Sequence, residues 1–142
     1  MNNAIIWLRK TLRTHDNPML IWAESSLEIN SVLPVYILDK NWKLGDTNFG
    51  KNRLSFLLDS LIDLDKNLRE NYGSKLLILS GNAEEIIDLL AEKSEGEIKY
   101  LLSDYCSEPN NREEIDIISR NLRQKGINCK IFSAMNTILD IE

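Results

Sequence analysis

Short apolar runs alternate with helical patterns along the whole chain, and this alternation is the strongest constraint on the fold. Five such runs occupy residues 4–8, 32–38, 75–79, 98–102 and 127–132. Between them, apolar residues recur at helical spacing. Strict alternation of strands and helices builds parallel sheets that are covered on both faces. The sequence therefore predicts an α/β fold with a Rossmann-like open five-stranded parallel sheet and helices on both faces.

Several residues indicate where the elements begin and end. Asp16 is predicted to cap the first helix, with Pro18 just inside it, and this helix is expected to run to about Glu28. The clearest helix covers residues 51–72, where the apolar positions form one stripe: Leu54, Leu57, Leu58, Leu61, Leu64, Leu68 and Tyr72. Pro34 lies within the second apolar run, so we expect it where its missing N–H costs no ladder hydrogen bond.

Composition restricts the classes of function. The 142 residues suffice for one domain with a hydrophobic core. The net charge is −5, so the chain is not expected to coat nucleic acid by itself, because such binding depends on clustered Lys and Arg. No apolar run has the length of a membrane span, and no secretory signal is visible. Cys106 and Cys129 lack metal-ligand spacing, and we expect reduced thiols in a cytoplasmic protein.

Charged residues gather where the predicted strands end. The first strand leads into a loop with Arg9 and Arg13, while Asp39 and Asp104 follow the second and fourth strands. Open parallel α/β sheets bind ligands at the carboxyl ends of their strands. The first loop has no Gly-x-Gly-x-x-Gly, so it is not the usual dinucleotide fingerprint. These residues are candidates for a ligand site of another kind.

A structural role is equally open for the two arginines. Arg9 and Arg13 could pair with Asp16 or Asp39 and fix the loop. His15, beside the predicted cap, is interpreted as a solvated loop residue. The acidic clusters on the second and fourth helices are interpreted as solvated helix faces and not as metal sites: Asp59, Asp63, Asp65, Glu113, Glu114 and Asp116.

Five motifs in order give the chain a family resemblance. The segment WLRKTLRTHDNP at residues 7–18 closely resembles the opening of DNA photolyases and cryptochromes. Four later segments also resemble that family: LPVYILD at 33–39, NRLSFLLDSL at 52–61, LSGNAEE at 79–85, and EP at 108–109 followed by Arg112. No single motif is decisive, but five in register are hard to obtain by chance. The resemblance covers essentially the whole chain.

Four positions depart from the family pattern. Thr11 stands where the family usually has Asp, and Ile115 where it often has an acidic residue. Asp104 replaces a common Asn at the end of the fourth strand, and Cys106 a frequent Asp two residues later. We therefore expect altered salt bridges in the arginine loop and in the loop after the fourth strand.

The resemblance implies an N-terminal α/β domain that holds a light-harvesting chromophore. In the family, a following all-helical domain carries the catalytic FAD and the DNA cleft. The whole protein would be a blue-light-driven deoxyribodipyrimidine photolyase, a carbon–carbon lyase for pyrimidine dimers in DNA, or a cryptochrome. This chain would have no catalytic residues and would not repair DNA alone. Residues 1–132 would form the domain and 133–142 the start of a linker to the absent FAD domain, and the isolated domain is expected to be monomeric.

The resemblance also identifies candidate chromophore-binding residues. It adds the backbone of Tyr36, Ile37, Leu38 and Asp39 to the candidates that the strand ends supply by position: Arg9, Leu12, Arg13, Asp39 and Asp104. Arg53 and Phe56, at the start of the long helix, match positions that line a deazaflavin or flavin pocket. Asn110 and Asn111 match positions that contact folate in folate-binding members, where the second is usually Glu. Because Arg53 and Phe56 are intact, a flavin-type antenna is favoured over folate.

Two other functions stay open on the sequence. One is a nucleotide-binding or regulatory α/β module of the stress-protein type, although the chain lacks a glycine-rich phosphate loop. The other is a structural domain that has lost its antenna, which the departures at Thr11, Asp104 and Cys106 keep open.

Overall fold

The computed structural model describes the backbone of residues 2–9, 12, 14, 17–39, 48–94, 96–104, 109–132 and 138–140. The predictions for Thr11, Arg13, His15 and Cys106, the ion pairs expected of Asp16, and the predicted linker at 133–137 and 141–142 lie outside these residues. So do the predictions for five side chains whose backbones belong to regular elements: Asp39, Arg53, Leu54, Asn110 and Asn111.

The described elements alternate as the sequence predicts. The strands are β1 (Asn3–Trp7), β2 (Ser31–Asp39), β3 (Leu77–Gly81), β4 (Ile98–Asp104), β5 (Asn128–Phe132) and β6 (Ile138–Asp140). The helices are α1 (Pro18–Ser25), α2 (Asn48–Tyr72), α3 (Ala83–Lys93) and α4 (Pro109–Gln124). The sheet has the order β3-β2-β1-β4-β5-β6, and β1 to β5 pair in parallel, which confirms the predicted five-stranded parallel sheet.

The sheet also has a sixth strand, β6, which the sequence analysis did not predict. Ile138–Asp140 pair antiparallel with β5, so this part of the stretch predicted as linker belongs to the sheet. Ile138 is paired with Phe132 and Leu139 with Ile131. Strands are identified in a sequence by apolar and polar residues that alternate over at least four residues, and a strand of three residues is too short to show this pattern.

The first helix is capped one residue later than predicted. The side-chain oxygen of Asn17 accepts hydrogen bonds from the N–H groups of Met19 (2.9 Å) and Leu20 (3.3 Å), and Asn17 is fully buried. The helix ends at Ser25 and not near Glu28. Leu27, which lies within the span predicted for this helix, is fully exposed. Asp and Asn are almost equally good caps, so the sequence DNP does not by itself select one of them.

Two hydrophobic cores lie on the two faces of the sheet. On one face α1 and α2 cover the sheet, and from the predicted stripe of α2 Leu57, Leu61, Leu64 and Leu68 are buried there. On the other face α3 and α4 contribute apolar residues such as Ile87 and Ile118. Among the described residues, no helix combines the length and apolar character needed to cross a membrane.

Pro34 lies within β2 without interrupting the ladder. Leu8 N–H donates to the carbonyl of Val35, so the backbone of Val35 faces β1 and the nitrogen of Pro34 faces the opposite side. On that side β3 pairs only from Val35 onward. The missing N–H of Pro34 therefore points to a position where the ladder with β3 has not yet begun.

Candidate functional site

The chain order reverses between β1 and β4, which lie side by side at the centre of the sheet. This is a topological switch point, where open α/β sheets bind ligands beyond the carboxyl ends of the strands. Trp7 is in register with Ser103, and the Ser103 hydroxyl donates a 2.9 Å hydrogen bond to the Trp7 carbonyl. Ser103 is fully buried, so this bond ties the ends of β1 and β4 together.

Immediately beyond this pair, Arg9 and Asp104 connect the ends of β1 and β4 by a hydrogen bond. The backbone N–H of Arg9 donates a 3.0 Å hydrogen bond to Oδ1 of Asp104, the last residue of β4. Asp104 is buried. A carboxylate that accepts a backbone N–H is bound more strongly than a neutral acceptor. The bond fixes the start of the loop that follows β1.

The guanidinium group of Arg9 is buried beside two other side chains. Its Cζ lies 4.6 Å from the centroid of the Trp7 ring, which is within the range of a cation–π contact. Its Nη2 lies 3.7 Å from Oε1 of Glu114 on α4. The Arg9 side chain is only 9% exposed. Among the described residues, its buried Nη1 has no hydrogen-bond partner. A planar cation, with its Nη1 unpaired in the part of the chain that the structure describes, is thus held at the switch point.

Tyr36 and Asp104 lie on the face of the sheet that α1 and α2 cover, opposite to the face where the Arg9 guanidinium lies. Tyr36 packs against the core under α1 and α2, and Asp104 follows Leu102, which belongs to the same core, by two residues. Burial raises the pKa of the Tyr36 phenol, and the negative charge of Asp104 raises it further. Tyr36 therefore stays a neutral hydroxyl, able to donate and accept a hydrogen bond, at any physiological pH.

The remaining candidate residues spread over both faces of this edge. Leu12 and Leu38 pack against the core on the α1 and α2 side, whereas Ile37 packs against the opposite core. Phe56, near the start of α2, is 75% exposed. The backbone of Asp39 ends β2 opposite Gly81. The described candidates therefore do not form one closed pocket: the Arg9 guanidinium lies on the side of α3 and α4, and Tyr36 and Asp104 lie on the side of α1 and α2.

Glu114 and Trp7 are two residues of the site that the sequence did not identify. Glu114 was interpreted as part of a solvated helix face, but it is partly buried and pairs with Arg9. Trp7 was likewise not assigned to the site. One available signal was that Trp7 and Arg9 are two residues apart in an extended segment, which places both on one face. For Glu114 the sequence gave no such signal, because it lies among other acidic residues that are typical of a solvated helix face. Two of these neighbours, Glu113 and Asp116, are indeed exposed.

A cavity of about 380 Å³ lies near the amino end of β2, away from the switch point. It is bounded by the end of α1, the start of β2 and the end of α2. Its walls include Leu20, Ala23, Val32 and Tyr72. Burial raises the pKa of Tyr72, with a smaller contribution from the charge of Glu24. None of the predicted site residues lines this cavity.

Fold and site together define a doubly wound α/β domain with a buried arginine at its switch point. The family model described as DNA photolyase matches residues 4–142. The chain belongs to this family, and it corresponds to the N-terminal α/β domain of photolyases and cryptochromes. This assignment confirms the resemblance seen in the sequence and does not support the stress-protein alternative.

Known relatives are much longer than this chain. Cryptochrome-1 of Spalax judaei is 37% identical over 140 residues, which is 99% of this chain and 23% of that protein. Cryptochrome-1 of Gallus gallus is also 37% identical over 140 residues, 21% of its length. The chain therefore spans less than a quarter of these curated relatives.

Solved structures of the family have the same fold. A class III photolyase from Agrobacterium tumefaciens superposes with a TM-score of 0.78 at 29% identity, over 94% of this chain and 26% of that one. A photolyase from Sulfolobus tokodaii, solved with two FAD molecules, gives a TM-score of 0.75 at 26% identity, over 92% of this chain and 29% of that one.

Proposed function

We propose that this chain is the light-harvesting-chromophore domain of a photolyase or cryptochrome. The observation that carries the proposal is the Arg9 guanidinium at the switch point, buried against Trp7 and Glu114 with Nη1 lacking a partner in the described part of the chain. A planar chromophore needs flat walls and a few fixed donors. A guanidinium plane supplies both a donor and a surface for stacking.

A flavin-type chromophore is the preferred ligand. Arg53 and Phe56 are the residue types that the family uses in its flavin or deazaflavin pocket, and the exposed ring of Phe56 is accessible for stacking. The photolyase of Sulfolobus tokodaii, which was solved with two FAD molecules and interpreted to have a novel light-harvesting cofactor, supports this choice. Folate contacts through Asn110 and Asn111 are the alternative.

The whole protein would join this domain to a C-terminal helical domain that holds the catalytic FAD. It would act in the cytoplasm as a blue-light-driven deoxyribodipyrimidine photolyase or as a cryptochrome photoreceptor. Only the full-length protein would bind damaged DNA, since the net charge of this chain is −5. The isolated chain would hold the chromophore but, without the FAD domain, would neither pass excitation energy to FAD nor repair DNA.

Equilibrium dialysis of the purified chain against FMN, FAD, a deazaflavin and a reduced folate tests the chromophore site. We expect a flavin or deazaflavin to be retained, with a visible absorption band and quenched fluorescence. Arg9→Lys keeps the positive charge opposite Glu114 but loses the planar donor group, so we expect at least about tenfold weaker binding. Arg120→Lys, on the exposed side of α4, is the matched control and should bind as the unmodified chain does.

A structural domain without an antenna is the second candidate. The two contacts of Arg9, from its backbone to Asp104 and from its guanidinium to Glu114, favour it because they hold the loop without any ligand. In that case none of the four chromophores would be retained, and Arg9→Lys would lower only the thermal stability. Binding that is equally strong in the Arg9→Lys and Arg120→Lys variants would contradict the site proposed above.

A further inference from the structure

The strand β3 forms one outer edge of the sheet, and its sequence is unusual for an edge. The order of the strands places β3 next to β2 alone among the described elements. Its residues, LILSG, include no charged residue and no proline. Edge strands are normally protected from pairing by charges, proline or bulges. The sequence of β3 therefore contains no residue that would prevent another strand from pairing with its outer edge.

The register identifies which backbone groups of β3 face outward. Because the backbone of Val35 faces β1, that of Tyr36 faces β3, and Tyr36 is in register with Ile78. In a parallel ladder, a residue that faces the neighbouring strand forms hydrogen bonds with the two residues on either side of its register partner. Tyr36 therefore bonds to Leu77 and Leu79, and not to Ile78. The N–H and C=O groups of Ile78 and Ser80 therefore point away from β2.

Exposed apolar side chains of α2 flank this edge on one face. The N–H of Leu76, just before β3, donates a 2.9 Å hydrogen bond to Oδ1 of Asp65, so the side of α2 that carries Asp65 faces β3. Leu58 and Ile62 precede Asp65 by seven and three residues and lie on that same side. Ile62 is 68% exposed, and Ile78 of β3 itself is 42% exposed.

Leu89 of α3 flanks the edge on the other face. Ile86 packs against Gly81 at the end of β3, where an added Cβ would lie 3.2 Å from its Cδ1. Leu89 follows Ile86 by three residues and shares its side of α3. Half of the eight large apolar side chains that are exposed in the described part of the chain, Leu58, Ile62, Ile78 and Leu89, thus surround this single edge.

The charges at the two ends of β3 are opposite. Lys75 precedes the strand and is exposed, while Glu84 and Glu85 follow it in the first turn of α3. A copy of the edge that runs in the reverse direction would bring each lysine close to the acidic end of the other copy. A copy that runs in the same direction would place like charges together.

We infer that β3 is a homodimer interface, in which two copies of this chain pair antiparallel and form one continuous sheet. With Leu79 at the two-fold axis, Ile78 of each copy lies opposite Ser80 of the other, and their outward-facing groups form four hydrogen bonds. Lys75 then lies opposite Ala83, one residue from Glu84. The interface is isologous, as in most dimers. This inferred dimer differs from the monomer expected from the sequence, and the inference does not depend on the proposed chromophore.

Sedimentation velocity of the chain over a wide concentration range tests the inference. We expect the mass to rise towards that of two chains with concentration. Ile78→Lys places a charge on the edge and should give only monomer. Ile117→Lys on α4 is the matched control, since Ile117 is similarly exposed (37%) but distant from β3, and it should dimerise normally. A monomer at every concentration, or equal loss in both variants, overturns the inference.

A charge exchange tests the antiparallel direction. Lys75→Glu should weaken the dimer at least severalfold at low salt because it puts acidic groups opposite one another. Adding Glu84→Lys to the same chain should restore much of the lost association, since the exchanged charges are again complementary. Circular dichroism confirms that each variant is folded. A double variant no stronger than Lys75→Glu contradicts the antiparallel pairing.

Discussion

The backbone N–H of Arg9 donates a 3.0 Å hydrogen bond to Oδ1 of Asp104, a residue that lies 95 positions further along the chain. The two residues are neighbours because β1 and β4 pair at the centre of the sheet. Asp104 thereby fixes the backbone of the loop from which the Arg9 guanidinium extends over Trp7. Asp104, which the family resemblance interprets as a departure from a common Asn, thus anchors the start of this loop.

Asp104→Ala should lower the free energy of unfolding by about 2 kcal/mol, because it leaves the partly buried N–H of Arg9 without its acceptor. Asp104→Asn keeps an acceptor oxygen and should cost less, about 1 kcal/mol. Urea denaturation followed by tryptophan fluorescence measures both. Asp116→Asn, on the exposed side of α4, should change stability by less than about 0.5 kcal/mol. If Asp104→Ala were as stable as the control, the hydrogen bond would not anchor the loop.

Asn17→Ala should destabilise the chain by about 2 kcal/mol, at the upper end for helix caps. The reason is that Asn17 is fully buried and its side chain accepts two N–H groups, so both lose their partner without access to water. Asn82→Ala provides the comparison, because Asn82 caps α3 through one bond to Glu85 N–H at a more exposed position. We expect its cost to be about 1 kcal/mol or less. Equal costs in urea denaturation would show that burial of the cap has no effect.

The parallel sheet was predictable because each strand is a short apolar run between amphipathic helices. The cap of α1 was placed one residue too early, because local propensity does not separate Asp16 from Asn17, and the burial that favours Asn17 is a tertiary effect. Strand β6 was missed because three residues carry no periodicity, and Ile138–Asp140 are held by pairing with β5.

The candidate site was predictable only in part. The strand-end rule identified Arg9 and Asp104, which the structure joins. It could not identify Glu114, because the pairing of Glu114 with Arg9 depends on how α4 packs against the sheet, and no local pattern contains that relation. The placement of Trp7 under the guanidinium group follows from strand geometry but becomes a contact only through the rotamer of Arg9.

The contribution of Asp65 to stability should disappear in acid. Its pKa is lowered chiefly by the hydrogen bond from Leu76 N–H and next by the side chain of Arg69. A lowered pKa in the folded state means that the stabilisation is present above the usual value near 3.8 and is lost as the pH falls through the lowered one. Asp65→Asn should therefore cost about 1 kcal/mol at neutral pH, and this cost should shrink as the pH falls below the ordinary aspartate pKa. Urea denaturation measures both, and Asp63→Asn, on the exposed side of α2, is the matched control, which should change the free energy of unfolding at neutral pH by less than about 0.5 kcal/mol.

Tyr36 should titrate above the ordinary tyrosine pKa, mainly because it is buried and secondly because Asp104 is negative. A raised pKa in the folded state means that its stabilising effect is complete below about pH 10 and is lost as the pH rises through the raised value. Above pH 10 the unmodified chain should therefore lose stability more steeply than Tyr36→Phe. Ring-carbon NMR of Asp104→Asn separates the two causes: the pKa of Tyr36 should fall only part of the way, because burial persists, while that of Tyr72 should not change. A return of Tyr36 to its ordinary value in Asp104→Asn would mean that charge, and not burial, is the dominant cause.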